Sequence, residues 1–256
     1  MTEFDELVSI VAALRAEGGC PWDRAQTPRT LRPYLLEEAY ELVDAIDRGA
    51  TAEVRKEMGD VLFQVVLLAT MAEQDGAFSM RDVLRGISAK MIARHPHVFD
   101  PDYVRQDDEG SIGAWEARKA VERGPGGSAL DGVPVALPAL IRAHRISEKA
   151  GMVGFDWPDA ARVRRKLAEE IAELDEALAG GDPDRITDEL GDVLFTVVNL
   201  GRHLPSGAEE ALRGATRKFE GRFRALEAAL QAEGSSVHAT DPATLEARWQ
   251  ALKGAR

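Results

Sequence analysis

The stretch LLEEAYEL at residues 35–42, followed by EMGDVLFQVV at 57–66, decides the fold, because it returns as LAEEIAEL at 167–174 and ELGDVLFTVV at 189–198. Four acidic residues recur inside it with unchanged spacing: Glu38, Glu41, Glu57 and Asp60, then Glu170, Glu173, Glu189 and Asp192. Each of the second set lies 132 positions after its counterpart (170 − 38, 173 − 41, 189 − 57, 192 − 60). A duplication of this length divides the 256-residue chain into two tandem domains, each long enough for a modest core. The expected boundaries are 1–123 for the first domain, 124–137 for a linker rich in glycine and proline, and 138–256 for the second.

The periodicity is helical almost throughout, so the fold class is all-α. Leu31, Leu35, Ala39, Leu42, Val43 and Ile46 recur at three- to four-residue steps and make one apolar face. Gly49 is a stop, and a second helix is expected from Thr51 to about Asp75. Its middle, Val61 to Ala69, is apolar nearly all round and is expected to be a central buried helix. In the second copy a helix from about Pro158 to Ala179 ends at Gly180-Gly181. Asp182-Pro183 then supplies an N-cap and a proline at the first helical position. A helical hairpin cannot enclose a core, so each copy is expected to pair into a four-helix bundle in a dimer.

Composition removes several functions. A net charge of −12 lacks the basic footprint of a nucleic-acid binder. The single cysteine, Cys20, rules out an intrachain disulfide and argues against a thiolate zinc site. MTEFDELVSI lacks the basic and apolar regions of a signal peptide, and no apolar run reaches membrane-spanning length. A cytoplasmic protein is expected.

Residues three apart share a helical face, so each E-x-x-E and E-x-x-D pair projects together. An antiparallel hairpin makes the four carboxylates converge, where they repel unless protonated or bound to a cation. A single such pair is ordinarily a solvated face. The intact recurrence, with Glu189 and Asp192 leading straight into VLFTVV, points instead to a metal site. Oxygen-only ligands suit Mg²⁺, with Mn²⁺ as an alternative, and bound Mg²⁺ prefers phosphate oxygens. A spare carboxylate, Glu169 or Glu37, is available to orient or deprotonate a water. The carboxylates do not distinguish α,β cleavage from loss of a terminal phosphate.

Cations and aromatics recur as well. Lys90 and Arg94 match Lys218 and Arg222 at an offset of 128, which implies a loop shorter by four residues. Trp115 and Lys119 match Trp249 and Lys253. Such lysines and arginines could neutralise a triphosphate, and a tryptophan could stack on a base. The copies differ elsewhere: Arg164-Arg165-Lys166 precedes the second set of glutamates, where the first has Arg32-Pro33-Tyr34. Asn199, two turns beyond Asp192, replaces Leu67. The second copy is therefore better furnished for a charged substrate.

The quartet within LLEEAYEL and EMGDVLFQVV resembles the all-α nucleoside triphosphate pyrophosphohydrolases. Gly19-Cys20-Pro21-Trp22-Asp23, Gln26-Thr27, Arg94-His95-Pro96-His97-Val98-Phe99 and Gly154-Phe155-Asp156-Trp157 resemble the tandem-domain MazG family across nearly the whole chain. The resemblance implies Mg²⁺-dependent hydrolysis of nucleoside triphosphates to the monophosphate and pyrophosphate in a homodimer. It implies that Glu170, Glu173, Glu189 and Asp192 hold metal and that Lys218, Arg222 and Trp249 contact substrate; Lys166, from the basic run of the second copy, is expected to cancel phosphate charge beside them. It implies an active second domain, with a first domain that is weak, regulatory or silent. Broad base tolerance and housecleaning of non-standard nucleotides fit this pattern. A non-catalytic nucleotide or alarmone sensor, a helical dimerisation partner with relic metal sites and a narrower dUTP-type hydrolase are the alternatives.

Overall fold

The computed structural model describes residues 2–104 and 126–254, and among them every regular element is a helix. The chain divides into two compact units, Met1–Glu109 and Gly110–Arg256. The first contains α1 (Glu3–Arg15), α2 (Pro21–Ala25), α3 (Pro28–Asp47), α4 (Thr51–Gln74), α5 (Met80–Arg94) and α6 (Pro96–Phe99). The second contains α7 (Ala139–Met152), α8 (Ala160–Gly180), α9 (Pro183–Arg202), α10 (Ala208–Ala232) and α11 (Pro242–Gly254). Each unit is built on a hairpin, α3 with α4 and α8 with α9. The short connections force the paired helices antiparallel.

Local chemistry starts the hairpins at equivalent positions. Thr27 caps α3 by accepting from the Thr30 amide, and Asp159, 132 residues on, caps α8 by accepting from the Arg162 amide. Asp182 caps α9, and Pro183 occupies its first turn. Gly181 closes α8 at a φ of 74°, a left-handed conformation that favours glycine. The offset of 128 between α5 and α10 has a different origin from the expected loop. Residues 75–79 and 203–207 are connections of equal length, whereas α4 has 24 residues and α9 has 20. The four residues are missing from the helix itself, about one turn, so the face beyond stays nearly in phase.

In the first unit Val11, Leu31, Val66, Leu67, Ala69, Met71 and Met80 form the buried core. In the second, Val163, Ala177, Val198, Leu226 and Leu230 are buried. The expectation that Val61 to Ala69 is buried all round holds only for its later part. Met58, Leu62 and Val65 on α4 are exposed, and so are their equivalents Leu190, Leu194 and Val197 on α9. Steps of four and three place each trio on one helical face, which stays exposed among the described residues of its own unit.

Candidate functional site

Two groups of carboxylates come together as the repeat requires. Ligand oxygens of Glu38, Glu41 and Glu57 lie within 4.8 Å of one another, as do those of Glu170, Glu173 and Glu189. In each group two residues come from the first helix of the hairpin and one from the second. Asp60 and Asp192 stand outside these tight triads. Asp60 is nevertheless close enough for its charge to act on Glu38, and Asp192 borders an open depression with Asp184, Arg185 and Asp188.

The electrostatics are those of crowded anions. Burial, aided by the charges of Asp60, Glu41, Glu57 and Glu37, pushes the Glu38 carboxyl above its ordinary value. A hydrogen bond to Glu170, together with partial burial, raises Glu173. Glu57 is 8% exposed, and its Oε2 is buried without a hydrogen-bond partner. A buried carboxylate oxygen left unsatisfied among like charges fits a divalent cation, and an all-oxygen donor set favours a hard one.

The chain places cations of its own against both triads. Lys166 Nζ lies 2.6 Å from Glu169 Oε1 and 3.1 Å from Glu170 Oε1, and those hydrogen bonds hold its ammonium protonated well above the usual lysine range. Two further cations stand at positions that the two copies do not share. Arg185 lies 3.6 Å from Glu189, and Lys56 lies 3.0 Å from Glu57 and 3.4 Å from Asp60. Their i, i+4 spacing to Glu189 and Asp60 was the available signal.

Other expected site residues are placed differently. Asn199 is fully buried; its amide donates to the Phe195 carbonyl, and its Oδ1 accepts from Arg202, which is paired with Asp156. This binds Asn199 into the interior instead of bringing it to the carboxylates. Lys218 and Arg222 share one face of α10 and make no ion pair with the second triad. Trp249 packs on Phe219 with ring centres 5.0 Å apart, and Lys253 Nζ lies 5.7 Å from the Trp249 ring. Phe219, Phe223, Leu226, Val237 and Trp249 border a cavity of about 330 Å³. Lys90 is exposed on α5, and Arg94 ends that helix with a partner. Trp115 and Lys119 lie outside the described residues.

A pH dependence follows from the raised glutamates. A carboxyl whose folded value is raised favours the fold at low pH, and that contribution is lost as pH rises through the raised value. Glu38 and Glu173 therefore make the metal-free fold less stable over the interval just above the ordinary glutamate value of 4.5. A bound divalent ion displaces their protons. The stabilisation by Mg²⁺, read as a rise in Tm, is expected to grow with pH across that interval, and calorimetry is expected to show proton release on binding. A Tm increment independent of pH would contradict the assignment of these residues to a cation site.

A helical hairpin that presents a carboxylate triad, with lysine or arginine against it, is a candidate site for a divalent cation. The sequence profile of the MazG nucleotide pyrophosphohydrolase domain matches residues 26–99 and 159–226, covering both hairpins. The chain is 44% identical over 98% of its length to the nucleoside triphosphate pyrophosphohydrolase/pyrophosphatase MazG of Thermotoga maritima, covering 96% of that protein. It is 43% identical over 99% of its length to the nucleoside triphosphate pyrophosphohydrolase of Escherichia coli K12, covering 98% of it. A crystal structure of a mazG-related protein from Thermotoga maritima aligns with 45% of this chain and 97% of its own, at 25% identity and a TM-score of 0.38. The chain belongs to the MazG family of nucleotide pyrophosphohydrolases.

Proposed function

We propose that the second unit hydrolyses nucleoside triphosphates to the monophosphate and pyrophosphate, with Mg²⁺ held by Glu170, Glu173, Glu189 and Asp192. The observation that carries this reading is the Glu170–Glu173–Glu189 triad, with Lys166 already paired to it. A divalent ion held there would supply Lewis acidity and an activated water. The remaining work belongs to the side chains. Lys166 and Arg185, whose side chains are 33% and 51% exposed, exchange carboxylate partners for phosphate oxygens when substrate arrives. Lys218 and Arg222 neutralise the outer phosphates. Glu169, whose side chain is 60% exposed, loses its lysine in that exchange and is left free to accept a proton from the attacking water. Trp249 and Lys253 bound the region that receives the base, and the scarcity of polar groups there supports tolerance among bases.

The exposed stripes on α4 and α9 support a homodimer in which hairpins pair into four-helix bundles. A chain of charge −12 acts on free nucleotides and not on nucleic acid, and clearing non-standard nucleotides in the cytoplasm suits a base-tolerant site. The described helices include none long and apolar enough to cross a membrane.

Product analysis tests the reaction. With Mg²⁺ and a panel of triphosphates, monophosphate and pyrophosphate are expected in equal amounts. In ¹⁸O-water the label is expected on the monophosphate, as attack at the α-phosphorus demands. Label confined to pyrophosphate would move the attack to the β-phosphorus, and orthophosphate with a diphosphate would refute the reaction class.

A further inference from the structure

The last helix, α11, is held by an ion pair that the proposed reaction does not use. None of the described residues of α11 is buried, so the helix has little core of its own. It packs on α10, where the Trp249 ring meets Phe219 and Phe219 stacks on Phe223. Between the two helices lies the cavity of about 330 Å³, with Phe219, Phe223 and Leu226 on one side and Leu245 and Trp249 on the other. Helices with few buried contacts are the parts of a fold that shift most readily, so the angle between α10 and α11 needs something to fix it.

The connection between them is ordered by its own hydrogen bonds. Gly234, at a φ of 76°, follows the end of α10, and the Ser235 amide donates back to the Leu230 carbonyl at 2.9 Å. Ser235 and Thr240 share a hydrogen bond of 3.2 Å, and Asp241 caps α11 by accepting from the Thr244 amide. Across this turn Arg248 donates to both carboxylate oxygens of Glu233, the residue that ends α10, at 2.7 and 2.6 Å. A guanidinium and a carboxylate paired in this way fix direction as well as distance. Hydrogen bonding from Arg248 holds the Glu233 carboxyl below its ordinary value, so the pair stays charged at neutral pH. The two side chains are 53% and 35% exposed, and an ion pair so open to water contributes little to stability. Its effect is on geometry: it fixes α11 at the residue beside Trp249 and one turn before Lys253.

We infer, resting on the reading of Trp249 as a base contact, that Glu233 and Arg248 form a clasp that positions Trp249 and thereby sets affinity for the base of the nucleotide. Both are positioning residues, because neither borders the cavity. Arg248 and Trp249 are neighbours on one helix, so a tilt of α11 released at the first displaces the second. Opening the clasp lets the Trp249 ring drift from the plane in which it meets a base, and the cost falls on binding. The phosphates and the cation are held by other helices, α8, α9 and α10, which the clasp does not move.

Steady-state hydrolysis of ATP in Mg²⁺ by the full chain tests the clasp. Arg248→Ala and Glu233→Ala are each expected to raise KM about tenfold, the scale of one base–aromatic contact, and to leave kcat within about twofold. Inhibition by tripolyphosphate, which carries no base, is expected to stay as in the parent. Glu233→Arg combined with Arg248→Glu restores an ion pair across the turn and is expected to recover most of the lost affinity. Trp249→Ala is expected to raise KM by itself, and adding Arg248→Ala to it is expected to change nothing further, because the clasp acts through that ring. Tripolyphosphate inhibition weakened as much as KM is raised would mark a general structural role and overturn the clasp. So would an unchanged KM in both single variants, no recovery in the charge-swapped chain, or a further rise when Arg248→Ala is added to Trp249→Ala. An unchanged KM in Trp249→Ala would instead overturn the reading of Trp249 as a base contact, and the clasp with it.

Discussion

Glu189→Ala is expected to lower triphosphate turnover by at least on the order of a thousandfold, about 4 kcal/mol of transition-state stabilisation. The Glu189 ligand oxygen lies within 4.8 Å of those of Glu170 and Glu173, so removing it opens the cation position from the α9 side. The fold is not expected to suffer. Glu189 is one of the charges that raise Glu173, and deleting it relieves repulsion among anions. Its partner Arg185 is half exposed and keeps Glu176 within 3.8 Å. In EDTA the variant should therefore melt no lower than the parent, while the rise in Tm on adding Mg²⁺ shrinks. Pyrophosphate release measures the first effect and thermal melting the second. Parental turnover in the variant would remove Glu189 from the metal site.

Leu194→Asp is expected to convert the proposed dimer to monomers and to remove most activity with it. Leu190, Leu194 and Val197 form an exposed stripe on α9 that matches Met58, Leu62 and Val65 on α4. Burying a leucine contributes about 1.5–3 kcal/mol. In a symmetric pair each substitution counts twice, and two buried aspartates would add desolvation and repulsion. The position is exposed in the isolated chain, so the monomer retains its helices. Light scattering coupled to size exclusion reads the mass, and circular dichroism checks the helical content. A dimer of unchanged stability would show that the stripe faces something other than a second copy.

The sequence made the hairpins legible because their signals are local. Helix period, the N-cap at Asp182 and the stop at Gly181 are each written within a few residues of where they act. The triads were legible for a related reason: three-residue spacing on a helix and an antiparallel turn leave carboxylates few places to go. What escaped the reading depends on tertiary environment. Asn199 shares a helical side with Asp192, yet Arg202 and Asp156 draw it into the interior, a contact that spans 46 residues between Arg202 and Asp156. Spacing alone does not reveal where the difference of four residues falls; it lies in α9 and not in a loop. Lys56 leaves no trace in the repeat, because its equivalent is Asp188. Apolar composition over Val61 to Ala69 marks residues suited to burial without stating which of them the fold covers, and Leu62 and Val65 stay exposed.

The central claim is that hydrolysis belongs to the second carboxylate cluster. Steady-state pyrophosphate release from two double variants tests it most directly, Glu57→Ala with Asp60→Ala against Glu189→Ala with Asp192→Ala. Lys166 and Arg185 accompany the second cluster, whereas Tyr34 and Glu53 hold the equivalent positions in the first. The first pair of substitutions is therefore expected to leave most of the turnover, and the second to abolish nearly all of it. Equal losses, or a greater loss from the first pair, would contradict the assignment.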